Sequence, residues 1–132
     1  MSVLYIALVH HPVLNKAGET VTTSISNLDI HDIARVAETY GVKAYYIVHA
    51  DPRQQELLNS IRNFWQDQGL PYNPQRSQAL ARIRPSDSID MLINEITTQE
   101  EKRPLIVTTT ARKLRDQISF GHLKTLTLND RP

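Results

Sequence analysis

The order of apolar and polar positions along the chain predicts strands that alternate with helices. Residues 3–9 and 43–49 are nearly continuous apolar runs, a pattern typical of strands buried on both faces of a parallel sheet. Shorter β-prone runs predict strands at 77–84, from Pro104 to the threonines at 108–110, and at 124–128. We interpret residues 11–26 as a long loop that contains a short extended piece.

The first helix is predicted from apolar residues that recur every three or four positions. These residues are Ile30, Ile33, Ala34 and Ala37. The spacing i, i+3, i+4, i+7 places them in one stripe that faces the core. Ser26 or Asn27 can cap the start of this helix, and Gly41 ends it.

Two further helices are predicted from their caps and apolar faces. Asp51 is a cap that is followed by Pro52 at the first helical position, and this second helix runs to about Gln68. Its predicted buried side comprises Leu57, Leu58, Ile61, Phe64 and Trp65. Ser86 is the predicted cap of the third helix, and a short basic helical turn is expected after Thr110. The inner face of the third helix comprises Ile89, Leu92, Ile93 and Ile96.

This alternation predicts one α/β domain over residues 1–132, with a mostly parallel sheet and helices on both of its faces. The chain is long enough for one core but not for two. Ligands of such sheets bind beyond the carboxyl ends of the strands. The predicted ends are His10 to Pro12, His49 to Asp51, Thr108 to Arg112, and Asn129 to Pro132.

Composition narrows the class of protein. A net charge of +1 argues against a protein that coats nucleic acid by charge alone. The absence of cysteine excludes disulfides and thiolate zinc sites, and it fits a reducing cytoplasm, where we expect the protein to be. No apolar run approaches the ~20 residues that a membrane helix requires, so no membrane partner is expected.

Basic residues are concentrated in two stretches that contain no acid. One lies between Gln68 and Ser86 and holds Arg76, Arg82 and Arg84; the other runs from Lys102 to Arg115 and includes Arg112, Lys113 and Arg115. Two basic patches on a nearly neutral body suit a structured anion such as folded RNA. The alternative is ordinary clustering of charge on a solvated surface, and composition alone leaves both open.

The polar side of the first helix is a candidate binding stripe. Asn27, His31 and Arg35 are spaced i, i+4, i+8 and therefore lie on one side of the helix. One interpretation gives Arg35 an anionic partner such as a phosphate. In the other interpretation, Arg35 pairs with its own neighbours on the helix, Asp32 and Glu38, and binds no external ligand.

Several other chemistries find little support. The five histidines include no pair with the i, i+4 spacing of a zincin helix, so no metal site is predicted. Ser24, His31 and Asp32 are no hydrolase triad, because His31 and Asp32 are consecutive on a helix and face different ways. The chain has four glycines, and they form neither a G-x-G-x-x-G nor a Walker motif.

The residues Thr108, Thr109, Thr110 and Ala111 form a second candidate site. Small hydroxyl residues at the carboxyl end of a strand allow a ligand to approach closely and offer both donors and acceptors. The alternative is an ordinary turn into a helix with a threonine cap.

The chain resembles a known family along nearly its whole length. The resemblance rests on Val3 to Pro12, Thr22 to Ala37, Tyr45 to Val48, Phe64-Trp65, Tyr72 to Pro74, Arg103 to Ile106 and Ile118 to Phe120. The most specific part is the run Asn-Leu-Asp-Ile-His-Asp-Ile-Ala-Arg at 27–35. It is similar to the predicted SAM-dependent RNA methyltransferases of the SPOUT (α/β-knot) superfamily, some of which are fused to a tRNA guanine methyltransferase.

The resemblance implies a function and a set of residues. It implies transfer of a methyl group from S-adenosylmethionine (SAM) to a structured RNA, either tRNA or rRNA. Asn27 and Arg35 correspond to residues at the catalytic centre of the 2′-O-ribose methyltransferases of the superfamily. The threonine turn at 108–111 corresponds to a loop around the methyl donor. His31 and the two basic stretches would then contact RNA.

The resemblance also implies a difference at the C-terminus. Family members continue after the last strand into a glycine-rich loop, a strand and a helix that complete the knot. We therefore expect a SPOUT-like fold without a complete trefoil knot, and weak or no binding of SAM. Two alternatives stay open: an RNA-binding module without activity, and an interaction domain whose open sheet edge pairs with another chain, a homodimer being the simplest case.

Overall fold

The computed structural model describes residues 3–127 and contains a three-stranded parallel sheet. Its strands are β1 (Tyr5–Val9), β4 (Ala44–Val48) and β5 (Ile83–Ser86), in the order β1-β4-β5. A short antiparallel hairpin of β2 (Val13–Leu14) and β3 (Thr20–Val21) lies in the predicted loop at 11–26. The prediction of an α/β fold with a mostly parallel sheet is confirmed.

Five helices lie within the described residues. They are α1 (Asn27–Thr39), α2 (Pro52–Gln66), α3 (Pro74–Leu80), α4 (Ile89–Glu100) and α5 (Phe120–Thr127). None of these helices is long and apolar enough to cross a membrane.

The first two helices begin where their caps predicted. The Ser26 Oγ accepts a hydrogen bond of 3.1 Å from the Asp29 amide, and the Asp51 carboxylate accepts one of 2.9 Å from the Arg53 amide. Each contact satisfies an amide that has no partner inside the helix. Gly41 follows α1 with a φ of +67°, a conformation that suits glycine at the end of a helix.

The described residues form two compact units, one of Leu4–Leu92 and one that begins at Ile93 and also includes Val3. In the first unit every residue of β4 is buried. Tyr45 and Ile47 belong to one core cluster with Ile30 and Ala34 of α1 and Leu58 of α2. Strand β4 is therefore the centre of this unit. The single-domain organisation and the lack of a complete knot stay predictions.

Two predicted boundaries around β5 are wrong. Residues 77–80 belong to α3 and not to a strand, because Asn73 Oδ1 caps the Arg76 amide at 3.0 Å and Pro74 begins the helix. Ser86 is the last residue of β5 and does not cap α4. The cap is Ser88, whose Oγ accepts from the Met91 amide at 3.1 Å.

The strands predicted after α4 are also wrong. Residues 103–119 contain neither helix nor strand, and Ile106 is 55% exposed, so this run has neither a strand partner nor burial. Residues 124–127 belong to α5. Ser119 caps the start of this helix, because its Oγ accepts a hydrogen bond of 3.1 Å from the His122 amide. Residue 128 and the predicted strand end at 129–132 lie outside the described residues.

Candidate functional site

A cavity of about 390 Å³ opens between α1, α2 and α3 in the unit Leu4–Leu92. Its lining comprises Asn27, His31, Ser60, Ile61, Phe64, Trp65 and Arg76. Three of these residues, Asn27, His31 and Arg76, were singled out from the sequence, and the fold brings them together. The cavity is thus the place where the first helix and the first basic stretch meet.

Asn27 and His31 lie one turn apart on α1, and a hydrogen bond between them orients the imidazole. The distance from His31 Nδ1 to the Asn27 carbonyl oxygen is 2.8 Å. Because a carbonyl only accepts, Nδ1 carries the hydrogen, and Nε2 is left for another partner. The His31 ring also meets the Trp65 ring edge-on, with centroids 6.1 Å apart.

Trp65 is held closely on several sides. A Cβ placed on Gly69 would lie 2.4 Å from Trp65 Cε3, so the backbone of Gly69 packs against the indole where a side chain would clash. The Phe64 ring stands nearly perpendicular to the indole at a centroid distance of 5.3 Å. These contacts fix the indole as a rigid wall of the cavity.

Arg76 contributes a cation to this wall. Its guanidinium carbon lies 5.0 Å from the centroid of the Trp65 ring, a cation–π contact. The Arg76 Nε is buried and has no hydrogen-bond partner within the described part of the chain. A buried donor without a partner costs roughly 1–3 kcal/mol. Among residues 3–127 no acidic residue lines the cavity, so its surroundings favour an electron-rich or anionic ligand.

Arg35 lies on the same helix but outside the cavity lining. It is exposed, with its Nη1 4.0 Å from the Asp32 carboxylate, which is the outer limit of an ion pair. The predicted alternative pairing with Glu38 is wrong, because Glu38 accepts from Arg82. Arg35 therefore keeps most of its hydrogen-bonding capacity for solvent or a ligand.

The other two arginines of the first basic stretch are placed differently from Arg76. Arg82 donates from Nε to the Glu38 carboxylate and from Nη1 to the Val42 carbonyl, and these bonds tie the end of α1 to the start of β5. Arg84 lies within β5 and is half-buried. The three arginines thus do not form one continuous basic surface.

The threonine turn belongs to the unit that begins at Ile93. Its residues are exposed, as are Arg112, Lys113 and Arg115, which follow it. The Thr110 Oγ1 accepts from the Arg112 amide at 3.1 Å, so this hydroxyl forms a turn. The hydroxyls of Thr108 and Thr109 have no partner among residues 3–127. The assignment of this turn to a loop around the methyl donor stays a prediction.

Two buried histidines occupy the carboxyl ends of β1 and β4. His10 Nδ1 lies 2.8 Å from Thr23 Oγ1. His49 Nε2 donates to the Thr23 carbonyl at 2.8 Å, and its Nδ1 accepts from the Asp51 amide at 3.1 Å. Burial lowers the pKa of His10 below its ordinary value. Both rings therefore fasten the segment before α1 to the sheet.

The sequence did not identify Ser60, Ile61, Phe64 and Trp65 as site residues. Phe64 and Trp65 were predicted to be core residues of α2, yet Phe64 is 46% exposed. No local signal separated these residues from the core, since the apolar positions of α2 from Leu57 to Trp65 form one ordinary core-facing stripe.

Comparison with known proteins places the chain in a family. A family model described as SAM-dependent RNA methyltransferase matches residues 3–132. The chain belongs to the SAM-dependent RNA methyltransferase family. The match includes α1, the cavity and the threonine turn.

Several relatives are similar to this methyltransferase-family chain. A protein of Oleidesulfovibrio alaskensis named tRNA (guanine-N(1)-)-methyltransferase is 40% identical over 110 residues, or 83% of this chain and 26% of the relative. A protein of the same name from Nitratidesulfovibrio vulgaris is 38% identical, with the same coverage. An uncharacterized protein of Aquifex aeolicus is 33% identical over 122 residues, or 92% of this chain and 60% of the relative. The chain thus spans about a quarter of the two named relatives.

Proposed function

We propose that the chain takes part in the transfer of a methyl group from SAM to a structured RNA, with tRNA as the substrate class. The observation that carries this proposal is the family match over residues 3–132. Two of the relatives are named as tRNA methyltransferases, and these names support the choice of tRNA as the substrate class. The guanine-N1 activity in their names belongs to proteins about three times as long as this chain and is not part of the proposal.

The methyl donor supplies an electrophilic methyl group, so the main tasks of the protein are alignment and placement of charge. We assign Arg35 to hold an RNA phosphate or to orient the acceptor, because its guanidinium is exposed and only loosely paired with Asp32. Asn27, at the start of α1 and about two turns before Arg35, would position the loop that leads into the helix.

The unit that begins at Ile93 offers groups that suit the donor. The hydroxyls of Thr108 and Thr109 are open to hydrogen bonds. A second cavity of about 430 Å³ is lined by the adjoining residues Lys102, Arg103, Pro104, Leu105 and Ile106. This lining offers apolar surface for the nucleoside of SAM and cations for its carboxylate. We therefore assign residues 108–111 to one wall of the donor site.

The exposed basic residues after the turn would contact RNA. Arg112, Lys113 and Arg115 have no acidic neighbour in the run from Lys102 to Arg115. Their contribution would be contacts with phosphates, which strengthen binding without reading sequence. Such binding would weaken as salt is added.

Methyl transfer tests this proposal directly. The 132-residue chain is incubated with unmodified tRNA transcripts and an excess of SAM labelled with tritium in its methyl group, because weak donor binding is expected. The expected result is label in RNA that Arg35→Ala reduces by about a hundredfold, the size typical of a lost charge-stabilising contact. Lys16→Ala, which removes an exposed cation from the hairpin loop, should leave the rate unchanged.

Calorimetry with SAM and RNA distinguishes the alternatives. A folded chain that incorporates no label and gives no heat with millimolar SAM would overturn the enzymatic proposal. If the same chain still binds tRNA in a salt-dependent manner, a non-catalytic RNA-binding module is the correct interpretation.

A further inference from the structure

We propose that the cavity lined by Phe64, Trp65, Arg76, His31 and Asn27 binds an unpaired nucleotide of the RNA substrate. This inference rests on the proposed function in taking RNA as the substrate, and it deepens that function by naming a single-stranded element as what the protein holds. Phe64 would stack on the base, while Arg76 and the polar groups of α1 would bind the edge of the base or its phosphate.

The aromatic wall carries the first step of the argument. Phe64 is 46% exposed and lines an open cavity. Trp65 beside it is fixed by Gly69 and by the perpendicular Phe64 ring. An exposed ring on a rigid support is the arrangement that proteins use to stack single-stranded bases, and it tolerates any base because every base has a π-face.

Arg76 carries the second step. Its Nε is buried without a partner in the described chain, and its guanidinium is stacked on Trp65. A ligand acceptor that reached this donor would satisfy it, which gives the free cavity a preference for electron-rich groups. No carboxylate of the described part of the chain lines the cavity, so the charge of Arg76 is not neutralised there.

The polar groups on α1 carry the third step. His31 donates from Nδ1 to the Asn27 carbonyl and so presents Nε2 to a ligand. The Asn27 side-chain amide has no partner among residues 3–127 and offers both a donor and an acceptor. Hydrogen-bonding groups beside an aromatic face are what an unstacked base requires, since its edges are exposed together with its faces.

The size of the cavity favours an unpaired nucleotide over a duplex. A volume of about 390 Å³ is in the range of pockets for small ligands and holds about one base. A base-paired helix buries the faces of its bases and would reach this wall only with its backbone. Stacking on Phe64 therefore requires a base that has left the helix.

The chain reports on this cavity through its own fluorescence. Trp65 is the single tryptophan of the chain, so intrinsic tryptophan emission comes from the cavity wall alone. The full chain is titrated with a single-stranded RNA hexamer and, separately, with a hexamer duplex at equal nucleotide concentration. The expected result is saturable quenching by the single strand, with at least tenfold weaker binding of the duplex.

Two matched pairs of variants test the assigned contacts. Phe64→Leu keeps an apolar side chain but removes the π-face, and it should weaken single-strand binding about tenfold. Phe120→Leu, which changes a ring that is 93% exposed in the other unit, should have no effect. Arg76→Lys keeps the charge but loses the planar fork and should also weaken binding, whereas Arg53→Lys on the surface of α2 should not. Urea unfolding of each variant verifies that it is folded.

The outcomes separate this inference from the proposed function. Equal binding by Phe64→Leu and the unchanged chain, or equal quenching by single strand and duplex, would overturn the nucleotide site even if tRNA is methylated. Conversely, single-strand quenching that depends on Phe64 and Arg76 supports the site even if no methyl group is transferred.

Discussion

At the scale of single residues, Trp65 depends on a neighbour without a side chain. The indole occupies the space where a Cβ of residue 69 would lie, with the nearest approach at 2.4 Å from Cε3. Gly69→Ala must therefore push the indole or the backbone aside, and we expect a loss of about 1–3 kcal/mol in the free energy of unfolding. Urea denaturation followed by the emission of Trp65 measures this loss and any displacement of the ring.

Gly121→Ala is the matched control for this substitution. A Cβ on Gly121 would meet nothing closer than Ser119 Oγ at 3.9 Å, and the residue lies in helix α5. Alanine favours a helix over glycine by up to about 1 kcal/mol, so this variant should be as stable as the unchanged chain or slightly more stable. Equal destabilisation by both substitutions would show that the contact with Trp65 is not the cause.

At the scale of elements, the sequence predicts well where several local signals agree. Strands β1 and β4 are long apolar runs, and α1 and α2 combine a cap with helical periodicity. Residues 124–127 show the opposite case, because Lys-Thr-Leu-Thr alternates like a strand although these residues lie in a helix capped by Ser119. Where one pattern fits two periods, the neighbouring cap decides, and sequence periodicity alone is insufficient.

The same limit applies to the candidate site. The stripe of Asn27 and His31 follows from helical spacing within α1, so the sequence predicts it. The meeting of His31 with Trp65 and of Trp65 with Arg76 depends on how three helices pack, and no local pattern contains that information. The sequence therefore identified three of the seven lining residues and assigned three others, Ile61, Phe64 and Trp65, to the core.

The cap of α4 provides a test at this scale. Ser88 Oγ accepts from the Met91 amide, so Ser88→Ala leaves that amide without its partner and should lower the free energy of unfolding by about 1 kcal/mol. Ser60→Ala is the control, because the Ser60 hydroxyl only bonds back to the Glu56 carbonyl within α2. Alanine is the better helix former there, so the control should cost nothing. Urea denaturation measures the free energy of unfolding of both variants. An unchanged free energy of unfolding in Ser88→Ala would argue against this cap.

At the scale of the whole molecule, positive charge is confined to a few places and does not cover the surface. The net charge is only +1, and Arg82 is engaged with Glu38, so the groups available to RNA are few and separate. Affinity for RNA would then depend on stacking and shape at the cavity as well as on phosphate contacts. A modest salt dependence, smaller than that of strongly basic proteins, follows from this arrangement.

The stability of the whole molecule should depend on pH because a histidine is buried at the end of β1. His10 is only 5% exposed, and burial holds its pKa below the ordinary value of 6.5, with the Asp29 carboxylate opposing this shift. Below pH 6.5 the unfolded chain takes up a proton that the folded chain refuses, so the unfolded state is favoured. The contribution of His10 to stability is therefore complete above pH 6.5 and is lost as the pH falls from 6.5 through the folded pKa.

Urea unfolding between pH 7.5 and 5 should show this decline in the free energy of unfolding, and His10→Gln should flatten it. An equally steep decline in His10→Gln would assign the pH dependence to other groups.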